Sequence, residues 1–168
     1  YEISTRDWSS DVCSSDLGCV AKNGLTAPEA TFFQAGSERP VFPVCGLAGT
    51  AVICREIEDF EPVTRQLAGT GVRLILWPGQ MRPDPAKPAI DPPEHVRDAQ
   101  ALAHATSAYI VQTNWPNALN RPEEGEYAGE SACIGPDGRL LFRLPRRGLG
   151  LGVFNLGDEA VTWLPVER

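Results

Sequence analysis

Three apolar runs, AVIC (51–54), VRLILW (72–77) and YIVQTNW (109–115), alternate with two stretches whose apolar residues recur every three or four positions. Short apolar runs of this kind fit buried strands, and the stretches between them fit helices that lay one face on a sheet. The first helical stretch carries Ile57, Phe60, Val63 and Leu67, continues past Pro62 and closes on glycine. The second, over 94–108, carries Val96, Ala99, Leu102 and Ala103 on one side. A chain with this strand–helix–strand–helix–strand order is committed to an α/β core. Later come strand signals alone: a hairpin around Pro136, Asp137 and Gly138, then LGVFNL and AVTWLPV. Those strands are expected to add antiparallel neighbours.

Upstream, RPVFPVCGLAGTAVIC reads as two strand-like runs around a glycine-containing turn. Before it, Thr26 followed three residues later by Glu29, with Pro28 between, fits a helix-starting capping box. That helix is expected to make about two turns and to stop at Gly36. MRPDPAKPAIDPP (81–93) is a proline-rich loop.

The formal net charge is −7, with no lysine- or arginine-dense stripe, so neither nucleic acid nor an anionic membrane is an expected partner. No apolar run approaches the roughly 18–20 residues that cross a bilayer. Five cysteines, at 13, 19, 45, 54 and 133, form no CxxC pair, and the two histidines, His95 and His104, do not share a helix face. No metal and no cofactor is expected. The odd count of scattered thiols reads as a reduced, cytoplasmic protein.

Residues 1–17 stand apart. RDWSSDVCSSDL nearly repeats itself and has no helical or strand period. It resembles the translation of sequencing-adapter DNA, so 1–17 is taken as a non-native segment and 18–168 as the natural part, shorn of its N-terminal portion.

Cys54 ends an apolar strand where a helix begins. A thiolate there meets the N–H groups of a helix start, which favour negative charge, and the N–H of Arg55 could help hold an oxyanion. A cysteine in that position is also a common small core residue. The helix between Cys54 and LILWPGQ brings the following loop to the same sheet edge, where open α/β sheets bind ligands.

These residues together resemble the nitrilase superfamily of carbon–nitrogen hydrolases. KNGLTAPEATFFQAG supplies the family's lysine, glutamate and glycine as Lys22, Glu29 and Gly36; AVICRE supplies Cys54 and, after one residue, Glu56. GTGVRLILWPG, YIVQTNW and YAGESACIGPDG follow in the family's order. The resemblance implies an α+β fold, a four-layer αββα sandwich that forms homodimers or larger assemblies, acting on a small-molecule amide or nitrile. It implies Cys54 as nucleophile, Lys22 steadying the tetrahedral intermediate and Glu29 assisting. Arg55, Glu56, Trp77 and Asn114 are expected at the substrate or oxyanion side, with Trp77 and Trp115 on a pocket rim. The family's general-base glutamate lies upstream of its lysine and has no counterpart here, so the fragment itself is expected to be inactive. The chain departs from the family pattern at Phe60-Glu61-Pro62, at Glu130 and at Arg55, which bears on substrate choice.

Three other readings compete. An isochorismatase-like cysteine hydrolase also sets a cysteine after a strand, but its doubly wound sheet leaves the hairpin and strand-rich end unexplained. A Cys–His hydrolase needs His95 or His104 at Cys54. A truncated, non-catalytic family member is the third.

Overall fold

The computed structural model describes residues 19–44, 46–81, 86, 89–114, 129–145 and 150–166; the segment 1–17 and Trp115 lie outside them. Among the described residues, eight strands and two α-helices follow in order: β1 (Phe42–Val44), β2 (Leu47–Ala51), α1 (Phe60–Leu67), β3 (Leu74–Pro78), α2 (Glu94–Thr106), β4 (Tyr109–Thr113), β5 (Ala132–Ile134), β6 (Leu140–Arg143), β7 (Gly150–Phe154) and β8 (Val161–Pro165). Strands β1 to β6 form one sheet in sequence order, and β7 and β8 form a second. Strands β2, β3 and β4 are parallel. Antiparallel β1, β5 and β6 flank them, so the sheet is mixed, as the alternation and the terminal hairpins require. The fold is α+β.

Cross-strand register sorts the sheet's faces. Thr50, Ile75 and Ile110 align on one face, and Ala51, Leu76 and Val111 on the other. The first face carries the main core, where Ile75, Trp77, Ile110 and Ile134 pack against Val63 and Leu67 of α1 and Val96, Ala99, Leu102 and Ala103 of α2. All four residues assigned to the apolar side of the second helix are buried. On the opposite face, β7–β8 lies near the β4 to β6 end. The Tyr109 and Phe154 rings are 6.3 Å apart, and an added Cβ at Gly152 would come within 3.0 Å of Leu144. Leu76 and Val111 are half-buried there. Of the αββα sandwich, the described residues supply a helix layer, a mixed sheet and a hairpin against the sheet's second face.

Two helices differ from expectation. The stretch after Cys54 is split into a 3-10 turn, Cys54–Glu58, and α1, with Asp59 between them at φ −86°, ψ 52°. Pro62 is the cause: it has no N–H for the Glu58 carbonyl, so a continuous helix cannot pass it. At the third position of a new helix that N–H has no intrahelical acceptor anyway, and the first α-type bond runs from Val63 N to Asp59 O (3.0 Å). The two-turn helix expected after Thr26 is a single 3-10 turn, Glu29–Thr31. Phe32 is 79% exposed, so no packed apolar face sustains a longer helix.

The β5–β6 hairpin turns as its Pro-Asp-Gly predicts. Gly138 N bonds Gly135 O at 2.9 Å, and Arg139 N bonds Asp137 Oδ1 at 3.0 Å. Gly138 sits at φ +79°, and an added Cβ would meet the Gln100 carbonyl at 3.0 Å, so glycine is needed both for the turn and for the approach to α2.

Candidate active site

The C-terminal ends of the parallel strands converge on one edge: Cys54 follows β2, Gly79 follows β3 and Asn114 follows β4. Cys54 is the first residue of its 3-10 turn and sits at φ +54°, the left-handed region that a side chain adopts at a cost of about 1–3 kcal/mol. It is half-buried and packs against the cluster of Val20, Ala51 and Ile53. The Trp77 indole Nε1 donates to the Cys54 carbonyl at 2.8 Å.

Lys22 is brought to this edge by the loop after Val20. It is 3% exposed and donates from Nζ to both Glu29 oxygens, at 2.6 and 2.7 Å. Glu29 also accepts from Thr26 N at 2.7 Å, while Glu29 N donates to Thr26 Oγ1 at 3.3 Å. The reciprocal cap read from the sequence is therefore present and orients the carboxylate toward Lys22. Burial raises the Glu29 pKa, but hydrogen bonds from Lys22 and Thr26 and the Lys22 charge outweigh it and hold the carboxyl below its usual range.

Glu56 joins the two segments. Its carboxylate, on a residue 1% exposed, accepts from Asn23 N, from Gly24 N at 3.0 Å, from Ile53 N at 2.6 Å and from Arg39 Nη1 at 3.2 Å. Asn23 and Gly24 directly follow Lys22, and Ile53 directly precedes Cys54. One carboxylate thus ties the lysine loop to the cysteine turn. Arg39 balances its charge and also donates to the Ala51 carbonyl and to Gln66 Oε1.

Two of the residues expected at the substrate side lie inside the protein. Glu56 faces inward, and its oxygens already take four donors. Trp77 is fully buried rather than on a rim, because strand alternation puts it on the helix-covered face with Ile75. Asn114 is 8% exposed and staples loops: Oδ1 accepts from Met81 N at 2.7 Å, and Nδ2 donates to Met81 O and Gly129 O, each at 3.0 Å. The Arg55 side chain turns to Asp59 (3.2 Å) and Glu58 (3.8 Å). Arg39 was not singled out in the sequence, because its partner lies seventeen positions away with no local spacing to mark the pair.

Neither histidine forms a Cys–His pair with Cys54 among the described residues. The His95 ring packs edge-on against Trp77 with centroids 6.4 Å apart, and burial pushes its pKa down to about 4. His104 lies beside the Gly138 turn. No group of three or more His, Cys, Asp or Glu suited to a metal occurs among the described residues. No helix among them is long and apolar enough to cross a membrane.

Solved structures share this architecture, amidases from the nitrilase superfamily among them. The glutamine-dependent NAD+ synthetase of Acinetobacter baumannii, bound to ADP, matches with TM-score 0.66 and 20% identity, over 90% of this chain and 28% of its own. A Cys→Ala variant of the Nesterenkonia AN1 amidase from the nitrilase superfamily matches with TM-score 0.61 and 23% identity, over 78% of this chain and 47% of its own. A Glu→Gln variant of the amidase from Nesterenkonia sp. AN1, carrying the acetamide moiety of fluoroacetamide at its active-site cysteine, matches with TM-score 0.63 and 22% identity, over 89% and 50%. The chain thus spans half or less of each neighbour's length. No protein-family model matches the chain, and no curated protein matches it in sequence.

Proposed function

We propose that this chain carries the thiol side of a carbon–nitrogen hydrolase site acting on small amides or nitriles. The observation that supports this most directly is the Glu56 staple, which fastens a left-handed Cys54 to the Lys22–Glu29 loop at the ligand-binding edge of the sheet. The reaction is acyl transfer to sulfur. Cys54 Sγ adds to the amide carbon, the carbon–nitrogen bond breaks, and the amine leaves with a proton; water then cleaves the thioester to the acid. With a nitrile, addition gives a thioimidate, which two waters take to the acid and ammonia. The Lys22 ammonium steadies the charge on the tetrahedral oxygen, assisted by the Arg55 N–H at the start of the turn. Glu29 holds Lys22 aimed through its two bonds to Nζ. The working assembly is a homodimer or larger homo-oligomer in a cytoplasmic setting.

Covalent capture tests this on the chain itself. Fluoride is a poor leaving group, so fluoroacetamide alkylates an activated thiolate in preference to ordinary thiols. The Nesterenkonia amidase takes up the acetamide moiety at its active-site cysteine even with one glutamate replaced by glutamine, so capture does not require every carboxylate of a working site. Peptide mass mapping is expected to find one acetamide moiety on Cys54 and none on Cys19 or Cys133, with Lys22→Met abolishing it. Equal, slow labelling of all thiols, or labelling indifferent to Lys22, overturns the proposal and leaves a non-catalytic member of the fold.

A further inference from the structure

A cysteine at φ +54° does not hold that conformation by itself; its surroundings must fix it. Three elements do so. On the N-terminal side, Val52 N bonds the Leu76 carbonyl at 2.9 Å and Ile53 N bonds Glu56 at 2.6 Å. On the C-terminal side, the Cys54 carbonyl accepts the Trp77 indole N–H at 2.8 Å. Above the turn runs Gly79, where an added Cβ would lie 3.7 Å from Cys54 Cα and 3.6 Å from Trp77 Nε1.

Trp77 is suited to hold a backbone group in place. It is fully buried among Val52, Ile57, Val96 and Ile110, so its ring cannot swing without disturbing the core. Val52 and Ile57 bracket the cysteine turn from the same core. The His95 ring closes against the indole from α2.

We propose that Trp77 is a positioning residue for Cys54: its indole N–H locks the Cys54 carbonyl and so holds the left-handed turn that keeps the thiol at the mouth of the sheet. This rests on reading Cys54 as the nucleophile. Trp77 touches neither substrate nor thiol; it acts through the backbone. Without the N–H, the carbonyl loses its donor, the turn relaxes toward a negative φ, and the thiol moves from its place at the mouth of the sheet.

The test follows the pH profile of iodoacetamide alkylation at Cys54 by peptide mass mapping, with exposed Cys19 as the internal reference. Two variants are compared with the parent chain. Trp77→Phe removes the N–H and shrinks the ring. Site-specific β-(3-benzothienyl)alanine at position 77 keeps the shape and puts sulfur where the N–H was, so it serves if Trp77→Phe does not fold. Expected in both is an alkylation rate at Cys54 lowered about tenfold across the profile, the scale of one lost hydrogen bond, with Cys19 unchanged. A Cys54 profile identical to the parent's in the benzothienyl variant overturns the proposal, whatever the melting temperature does. The two readings fail separately. A lowered iodoacetamide profile with no fluoroacetamide capture in the parent keeps Trp77's role and removes the catalytic reading of Cys54. Fluoroacetamide capture with an unchanged profile does the reverse.

Discussion

Acidifying the chain from pH 7 to pH 5 should destabilise it through one imidazole. His95 is 6% exposed, its Nε2 has no hydrogen-bond partner among the described residues, and burial holds its pKa at about 4 instead of 6.5. Between those values the unfolded chain binds a proton that the folded chain does not. Stability therefore rises with pH through this window and is lost as pH falls from 6.5 toward 4. Each pH unit inside the window is worth about 1.4 kcal/mol, so the loss from pH 7 to pH 5 is about 2 kcal/mol. The window is clean on the acid side. Glu29, held below its usual value of 4.5, contributes stability that begins to be lost only as pH falls through 4.5 and is gone below its lowered value. Urea unfolding at pH 7, 6 and 5 reads the effect; with a slope of about 1–3 kcal/mol per molar, the midpoint should fall by roughly 1–2 M. His95→Phe fills a similar volume against Trp77 without a titrating group. It should stay within about 1 kcal/mol of the parent at pH 7 and lose most of the dependence between pH 7 and pH 5. Parallel pH curves for parent and variant would refute the reasoning and place the acid sensitivity elsewhere.

Breaking the Arg39–Glu56 pair should cost more. Glu56→Ala strands a buried guanidinium and three backbone N–H groups, for a loss of about 3–5 kcal/mol by urea unfolding, and abolishes fluoroacetamide capture at Cys54; unchanged capture refutes the staple. Gly138→Ala should cost about 1–2 kcal/mol by the same measurement, because alanine meets a left-handed backbone and the Gln100 carbonyl together. Cys133, whose thiol is pushed up to about 12 by burial and then by the Glu159 charge, should resist iodoacetamide at pH 8 in the folded chain and react once urea is added. Its alkylation in the folded chain would refute its burial.

Much of this was legible because periodicity reports directly on faces. The apolar positions Val96, Ala99, Leu102 and Ala103 name the buried side of α2, and the Thr26–Glu29 spacing already contains the local bonds that aim Glu29 at Lys22. Where its strand ends left Trp77 open between a core edge and a pocket rim, and parity decides for the core. Trp77 lies two residues from Ile75, and that alternation alone assigns it to the helix-covered face. The split after Cys54 was also available, in Pro62. Not legible were contacts closed by tertiary structure. Nothing local links Arg39 to Glu56, or Glu56 to the amides after Lys22, because those segments meet only when β2 and the lysine loop dock.

The two ion pairs at this edge differ in what they can do. Arg39 and Glu56 have side chains 1% exposed each, and the Glu56 carboxylate is filled by donors from three segments. Such a pair cannot exchange partners during a reaction without exposing an unpaired charge, so it serves geometry. Lys22 is as deeply buried, but its partner Glu29 is 33% exposed on its side chain. An ammonium has three N–H donors, and two here point at the Glu29 oxygens. In the proposed reaction the third is the donor for an oxyanion formed at Cys54, with both bonds to Glu29 still in place. Glu29 in turn loses little if water replaces part of its bonding, because it already meets solvent. One pair can therefore stay fixed while the other responds to developing charge, as the proposed acyl transfer to sulfur requires.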